Sequence, residues 1–210
     1  MSKIMGISRL RTGTDGKGIT TLVTFYKCPL KCKYCINDRC HDDKFALTDY
    51  TTQELLDLIM IDDLYFRMSG GGVTFGGGEP LLQTKFIERF AKDAPKEWKI
   101  RIETSLNVTW NAIEPLIPYV DQWIIDVKDM NNEIYKEYTG VGNARVKLNL
   151  KRLAKMIPVE CIYLRFPNIL GYNSTEDIER SLDELAYIDC TKEVFDYVYV
   201  DTEYESNRWL

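Results

Sequence analysis

Three features are missing from this sequence, and each absence excludes a class of protein. No apolar run approaches the ~20 residues that a membrane-spanning helix needs. The segment Met1–Arg11 lacks the apolar core of a secretory signal. The net charge is −5, which argues against a general nucleic-acid-binding protein because such proteins are usually basic. We therefore expect a cytoplasmic protein with no membrane or nucleic-acid partner.

Internal repeats, low-complexity tracts and linkers are also lacking. The 210 residues suffice for one α/β domain with a sizeable core and are too few for two. A content of 45% hydrophobic and 28% charged residues is ordinary for a globular protein. The expected organisation is a single domain over residues 1–210.

Short runs rich in β-branched and aromatic residues alternate along the chain with longer amphipathic segments. Strands are predicted at Ile19–Tyr26, Gly72–Phe75, Trp98–Glu103, Gln122–Asp126, Val159–Phe166 and Phe195–Asp201. Helices are predicted at Thr52–Arg67, Leu82–Lys92, Asn111–Leu116, Asn132–Tyr138, Ala144–Met156 and Thr175–Ala186. The alternation predicts an α/β fold, an open, partial (β/α)6 TIM-like barrel of parallel strands. Its ligands should lie at the carboxyl ends of the strands.

The first predicted strand is followed by three closely spaced cysteines, Cys28, Cys32 and Cys35. Thiolates are the usual ligands of iron–sulfur clusters, and three ligands for four irons leave one iron open to another molecule. The alternative is a zinc site, which needs a fourth ligand such as Cys40 or His41. A disulfide is the weakest interpretation for a cytoplasmic protein.

Several motifs, taken in order along the chain, resemble a known family. The segment Cys28–Cys35 has the spacing C-x3-C-x2-C with Tyr34 before the last cysteine, the signature of the radical S-adenosylmethionine superfamily. Further segments resemble the glycyl-radical-enzyme activases of the pyruvate formate-lyase activating type, over about residues 6–185. These segments are Asp15–Ile19, Gly71–Gln83, Asp126–Lys128, Met130–Gly140, and Arg165 and Pro167 with Gly171–Asn173.

The resemblance implies a [4Fe–4S] cluster on Cys28, Cys32 and Cys35, and S-adenosylmethionine as second cofactor. The cluster would split S-adenosylmethionine reductively to a 5′-deoxyadenosyl radical, so the radical comes from the cofactor and no side chain is itself catalytic. An activase would use that radical, under anaerobic conditions, to abstract hydrogen from a glycine of a partner glycyl-radical enzyme. A flavodoxin- or ferredoxin-type protein is the expected electron donor.

The resemblance also assigns the cofactor-binding residues. They are Tyr34, Cys35, Ile36, Gly77, Gly78, Glu79, Thr104, Asp126, Val127, Lys128 and Arg165. A monovalent cation is expected at Glu103, Thr104 and Asp126. Two positions depart from the family pattern nearby, because Glu103 replaces a shorter aspartate and Gly76 replaces a serine.

The resemblance weakens after the last predicted strand, where activases of this type continue with a segment that carries a cofactor-binding histidine. The only histidine here is His41. This difference keeps a second function open, a radical enzyme that modifies a peptide or a small metabolite. A third reading, a non-catalytic metal-binding module, is disfavoured by the motifs Gly77–Glu79 and Asp126–Lys128.

Overall fold

In a computed structural model that describes residues 1–197, the chain forms one eight-stranded sheet. Its strands are β1 (Ser2–Thr12), β2 (Ile19–Phe25), β3 (Thr48–Tyr50), β4 (Gly72–Gly77), β5 (Lys99–Thr104), β6 (Gln122–Asp126), β7 (Ile162–Ile169) and β8 (Thr191–Tyr197). From edge to edge the order is β3-β1-β2-β4-β5-β6-β7-β8.

Six helices connect or flank these strands. They are α1 (Thr52–Ile59), α2 (Asp63–Ser69), α3 (Thr84–Asp93), α4 (Asn132–Thr139), α5 (Ala144–Met156) and α6 (Thr175–Glu184). Short 3-10 turns occur at Asp38–His41, Met60–Asp62, Pro80–Gln83, Trp110–Ala112, Glu114–Leu116 and Val159–Cys161. None of the helices in this part of the chain is long and apolar enough to cross a membrane.

The six predicted strands are present and pair in parallel from β2 to β8, which confirms an open α/β sheet of the partial-barrel type. The prediction that all strands are parallel was wrong at one edge. There β1 pairs antiparallel with both β2 and β3. The antiparallel strands were missed because β1 carries glycine and three charged residues and shows little alternation, while β3 has only three residues.

The long helix predicted over Thr52–Arg67 is divided into two by the turn Met60–Asp62. Asp62 lies in this turn, fully buried, and its carboxylate accepts hydrogen bonds from Arg9 of β1 at 2.5 and 2.9 Å and from Thr21 of β2 at 2.8 Å. These partners are remote in sequence, so a local helical pattern does not reveal the break.

Other boundaries differ by local chemistry. The predicted helix Asn111–Leu116 is replaced by two 3-10 turns, and β7 begins at Ile162 because the preceding turn follows Pro158. Strand β8 begins at Thr191, four residues before the prediction, and the predicted strand residues Val198–Asp201 lie outside the described part of the chain. The predicted Ala144–Met156 and Gln122–Asp126 match the observed bounds.

The two faces of the sheet differ in chemistry. On the outer face, Phe25 stacks on Phe75 with ring centroids 5.7 Å apart, and Phe75 meets Phe90 of α3 edge to face at 5.3 Å. The inner face is polar and is covered by the loop between β1 and β2. Thr74 of β4 donates to the carbonyl of Asp15 at 2.7 Å, and buried Arg101 of β5 donates to that of Lys17 at 2.7 Å. The outer face packs against the helices and forms the hydrophobic core. The candidate site lies at the strand ends, next to the polar inner face.

Candidate functional site

The three predicted cluster ligands lie on the loop that leaves β2, and each is half-buried and forms no disulfide. Backbone hydrogen bonds hold this loop on two sides. Lys27 donates to the carbonyl of Cys40 at 3.1 Å, and Lys31 donates to that of Thr139, at the end of α4, at 2.9 Å. Cys28, Cys32 and Cys35 thus stand on a short loop fixed to the protein, which fits the three-thiolate ligand set of an iron–sulfur cluster.

Cys40 and His41 differ in their relation to this loop. Cys40 is fully buried and its thiol donates a hydrogen bond to Cys35, which lowers the pKa of Cys35 to about 7. His41 is exposed. Within residues 1–197, no three thiol, imidazole or carboxylate groups converge on a single metal ion. A four-iron cluster does not require the three thiols to converge on one point, because each thiolate binds a separate iron.

Three tyrosine rings meet beside the cysteine loop. Tyr34 of the loop lies 5.7 Å from Tyr172 and 6.5 Å from Tyr138 of α4, measured between ring centroids, and Tyr138 lies 5.2 Å from Tyr172. Lys33 reinforces the contact through its backbone, which donates to the carbonyl of Tyr138 at 3.1 Å. These tyrosines hold the loop against α4 and the segment after β7. Tyr34 was predicted as a cofactor neighbour, whereas Tyr138 and Tyr172 were recognised only as parts of longer motifs.

The glycine turn after β4 lies directly against the start of the cysteine loop. Gly78 donates to the carbonyl of Phe25 at 2.9 Å, and Glu79 donates to that of Lys27 at 2.8 Å. A Cβ atom on Gly78 would lie 2.2 Å from the carbonyl oxygen of Lys27, and Gly77 has a φ of +92°. Both glycines are therefore required by the close approach of the two loops, a reason that is independent of any contact with the cofactor.

Glu79 is buried, and its carboxylate has four donors within the protein. Thr104 donates at 2.6 Å, the backbone and hydroxyl of Ser105 at 3.1 and 2.7 Å, and the backbone of Leu81 at 3.2 Å. Burial raises the pKa of Glu79, and these hydrogen bonds oppose the rise. Glu79 thereby ties the end of β5 to the turn after β4. Sequence reasoning missed Ser105, because its role depends on two strand ends meeting.

Charged side chains form a chain across the carboxyl ends of β5 and β6 and the middle of β7. The guanidinium of Arg165 donates to Asp126 at 2.7 Å through Nε and to Glu103 at 3.1 Å through Nη1. Lys128 donates to the second carboxylate oxygen of Asp126 at 3.1 Å. All four side chains are at least three-quarters buried. Two acidic and two basic side chains thus form one compact network.

The pKa values in this network follow its charges. Burial favours protonation of Asp126, but Lys128 and Arg165 outweigh it and hold the pKa of Asp126 at about 2. Burial raises the pKa of Glu103 to about 7, because the guanidinium of Arg165 offsets only part of this effect and the negative charge of Asp126 adds to it. Asp126 is therefore the firmly ionised centre of the network.

The other predicted site residues take different positions. Ile36 is exposed, with 78% of its surface accessible, and the side chain of Val127 is buried in the core. Thr104 directs its hydroxyl to Glu79 rather than to Glu103 or Asp126. The structure thus brings together the cysteine loop, the glycine turn and the charged strand ends. Contact of any of these residues with a cofactor stays a prediction.

Comparisons with known proteins define the class. The model of the Radical SAM superfamily matches residues 22–185, so the chain belongs to that superfamily, whose members use S-adenosylmethionine and a [4Fe–4S] cluster. The isethionate sulfite-lyase activating enzyme of Oleidesulfovibrio alaskensis is 25% identical over 81% of this chain and 75% of its own length. The pyruvate formate-lyase 1-activating enzyme of Escherichia coli K12 is 30% identical over 81% of this chain and 69% of its own length.

A solved structure supports the same assignment. It is a domain of pyruvate-formate lyase-activating enzyme from Bacteroides vulgatus, with a TM-score of 0.53, 27% identity, and coverage of 63% of this chain and 83% of that one. Two further activating enzymes are matched over only 38% and 40% of their own length. The predicted superfamily and partial-barrel fold are confirmed, and the relatives are activating enzymes of glycyl-radical enzymes.

Proposed function

We propose that this protein is an activase, which generates a glycyl radical in a partner enzyme. The observation that carries the proposal is that its curated relatives are activating enzymes and that the match extends over four-fifths of the chain. When bound, the cluster supplies the electron that splits S-adenosylmethionine to methionine and a 5′-deoxyadenosyl radical, which takes a hydrogen atom from the substrate.

The chain's own residues prepare the site for this chemistry. Cys28, Cys32 and Cys35 hold the cluster, on a loop that the glycine turn and α4 keep in place. Arg165 and Lys128, which both pair with Asp126, would supply cationic partners for the carboxylate of S-adenosylmethionine. The remaining predicted cofactor contacts belong to the same proposal.

The electron donor we propose is an acidic protein of the flavodoxin or ferredoxin type. Lys27, Lys31 and Lys33 are exposed on the cysteine loop, although the whole chain carries a net charge of −5. A local positive surface steers an acidic partner towards the cluster, and such steering weakens with salt. Binding should therefore weaken as ionic strength rises.

The relatives favour a protein substrate, whereas the segment Met130–Gly140 gives little further support for one. The segment Met130–Gly140 resembles the activases outside the cofactor-binding motifs, and such a resemblance would favour a protein substrate. Its end contacts the cysteine loop, through the carbonyls of Tyr138 and Thr139. That position gives the segment a task in holding the loop, whichever substrate is used.

The test is radical formation in a partner protein. The reduced, cluster-loaded enzyme and S-adenosylmethionine are incubated anaerobically with the glycyl-radical enzyme encoded nearest to its gene, and an EPR spectrum is recorded. We expect a doublet that collapses to a singlet when the glycine is deuterated at Cα.

The control is the enzyme in which Cys28, Cys32 and Cys35 are all replaced by alanine, which should form neither 5′-deoxyadenosine nor a protein radical. If 5′-deoxyadenosine forms without a protein radical, and a peptide or metabolite from the same gene neighbourhood is turned over instead, the activase role is wrong and the second function is correct.

A further inference from the structure

Two ionised carboxylates at neighbouring strand ends repel each other in a buried site, so Glu103 and Asp126 can both be ionised only with a positive charge between them. The resemblance places a monovalent cation there, with Thr104 as a further ligand. In this structure the position between the two acids is taken by the guanidinium of Arg165, 3.1 Å from Glu103 and 2.7 Å from Asp126. Thr104 is engaged by Glu79 at 2.6 Å. The residues present do not fit a cation.

The two departures from the family pattern, Glu103 and Gly76, are adjacent in the structure and depend on each other. Glu103 is one methylene longer than aspartate, and this length carries its carboxylate to Arg165. A Cβ atom on Gly76 of β4 would lie 3.0 Å from the Oε2 atom of Glu103, so a serine at position 76 would crowd that carboxylate. Gly76 near the end of β4 thus leaves the space that the side chain of Glu103 in β5 occupies.

Charge balance leads to the same conclusion. Asp126 contributes one negative charge and Glu103 at most a second one, whereas Arg165 and Lys128 contribute two positive charges. A third cation in this space would lie beside a guanidinium and an ammonium group that have no further acid within the network.

We propose that Arg165 replaces the monovalent cation, so that S-adenosylmethionine binds without a bound cation. The long side chain of Glu103 reaches Arg165 through the space that Gly76 leaves. The inference rests on the superfamily chemistry of the proposed function but not on the activase role. Arg165 acts here as a positioning residue that holds the two acids and keeps a positive charge at the cofactor carboxylate.

The test measures binding of S-adenosylmethionine to the cluster-loaded enzyme by anaerobic calorimetry, in KCl, NaCl or choline chloride at equal ionic strength. The wild-type dissociation constant should change less than about twofold among the salts, a difference of under roughly 0.5 kcal/mol. The double variant Gly76→Ser/Glu103→Asp restores the family pattern, and it should bind about fivefold more weakly in choline chloride than in KCl, or roughly 1 kcal/mol.

Two further variants separate positioning from folding. Arg165→Gln removes the charge and should acquire the same preference for KCl, whereas Arg165→Lys should keep most of the salt independence. Arg89→Gln, at an exposed position of α3, is the matched control and should behave as wild type. A wild-type enzyme that requires KCl or NaCl would overturn the inference, even if no variant folds. A double variant and an Arg165→Gln variant that both stay independent of the salt would also overturn it. Because no glycyl radical is measured, failure of the activase role leaves this test intact.

Discussion

At the scale of single residues, Glu79 shows how one side chain connects two parts of the site. Its carboxylate is buried and accepts hydrogen bonds from Thr104, Ser105 and Leu81, so the turn after β4 and the end of β5 share one acceptor group. All four donors point at two oxygens, which leaves no place for a donor group on residue 79. The family resemblance predicts that Glu79 contacts the cofactor, but both of its carboxylate oxygens accept hydrogen bonds from other residues of the protein.

The first prediction follows from that arrangement. In Glu79→Gln, the amide nitrogen must face a backbone N–H that cannot accept a hydrogen bond, either that of Leu81 or that of Ser105. We expect the free energy of unfolding to fall by about 2–3 kcal/mol, as for a buried polar group that loses its partner. Urea unfolding followed by circular dichroism measures the change, with Glu179→Gln on the exposed face of α6 as the control. Equal stability of the two variants would show that Glu79 is not a structural acceptor.

At the scale of secondary-structure elements, α4 acts as a support for the cysteine loop. The carbonyls of Tyr138 and Thr139 at its end accept backbone hydrogen bonds from the loop, and the helix then ends at Gly140 with a φ of +81°. The ring of Tyr138 adds contacts with Tyr34 and Tyr172. A helix far along the sequence thus supports the loop that carries the predicted cluster ligands.

The second prediction concerns this support. Tyr138→Ala removes two ring contacts of about 1 kcal/mol each, which together correspond to roughly a thirtyfold increase in opening of the loop. We expect the variant to lose iron to a chelator correspondingly faster, as followed by the visible absorbance of the cluster. Tyr138→Phe keeps the ring and should lose iron more slowly than Tyr138→Ala. Tyr119→Ala, away from the loop, is the second control, and the same fast loss in this variant would contradict the specific role of Tyr138.

At the scale of the whole molecule, the sheet joins an antiparallel edge to a parallel body. Asp62 contributes to that joint, because its carboxylate holds Arg9 of the antiparallel strand β1 and Thr21 of β2 to the turn between α1 and α2. The carboxylate is fully buried, whereas the guanidinium of Arg9 is 40% exposed. Burial disfavours the charge on Asp62, but the hydrogen bonds from Arg9 and Thr21 lower its pKa below the ordinary value of 3.8.

The third prediction is the pH dependence of this joint. A carboxylate with a lowered pKa in the folded state stabilises the protein above its unfolded pKa, and this stability is lost as the pH falls through the folded-state pKa. We expect Asp62→Asn to lower the free energy of unfolding by about 2 kcal/mol near pH 7. The difference from wild type should shrink below about pH 4. Asp183→Asn, at an exposed position of α6, should show no such dependence, and a difference that stays constant with pH would contradict the role of Asp62.

The sequence by itself determined the parallel body of the fold and the motifs of the site. Buried strands such as Gln122–Asp126 and helices such as Ala144–Met156 follow from local periodicity, which does not depend on distant contacts. The cysteine spacing is likewise local, since its three members lie within eight residues of one another. For these features, the residues that decide the outcome are neighbours in the chain.

Only the tertiary structure decided which groups meet at the strand ends. Arg165 is 39 residues from Asp126 and 62 from Glu103, and the break at Asp62 depends on Arg9, 53 residues away. No local pattern encodes such pairs, because parallel strands that are distant in sequence bring their carboxyl ends together only when the sheet forms. The same reason explains why Gly76, Glu103 and Arg165 look like unrelated departures or lone charges in the sequence and form one arrangement in the fold.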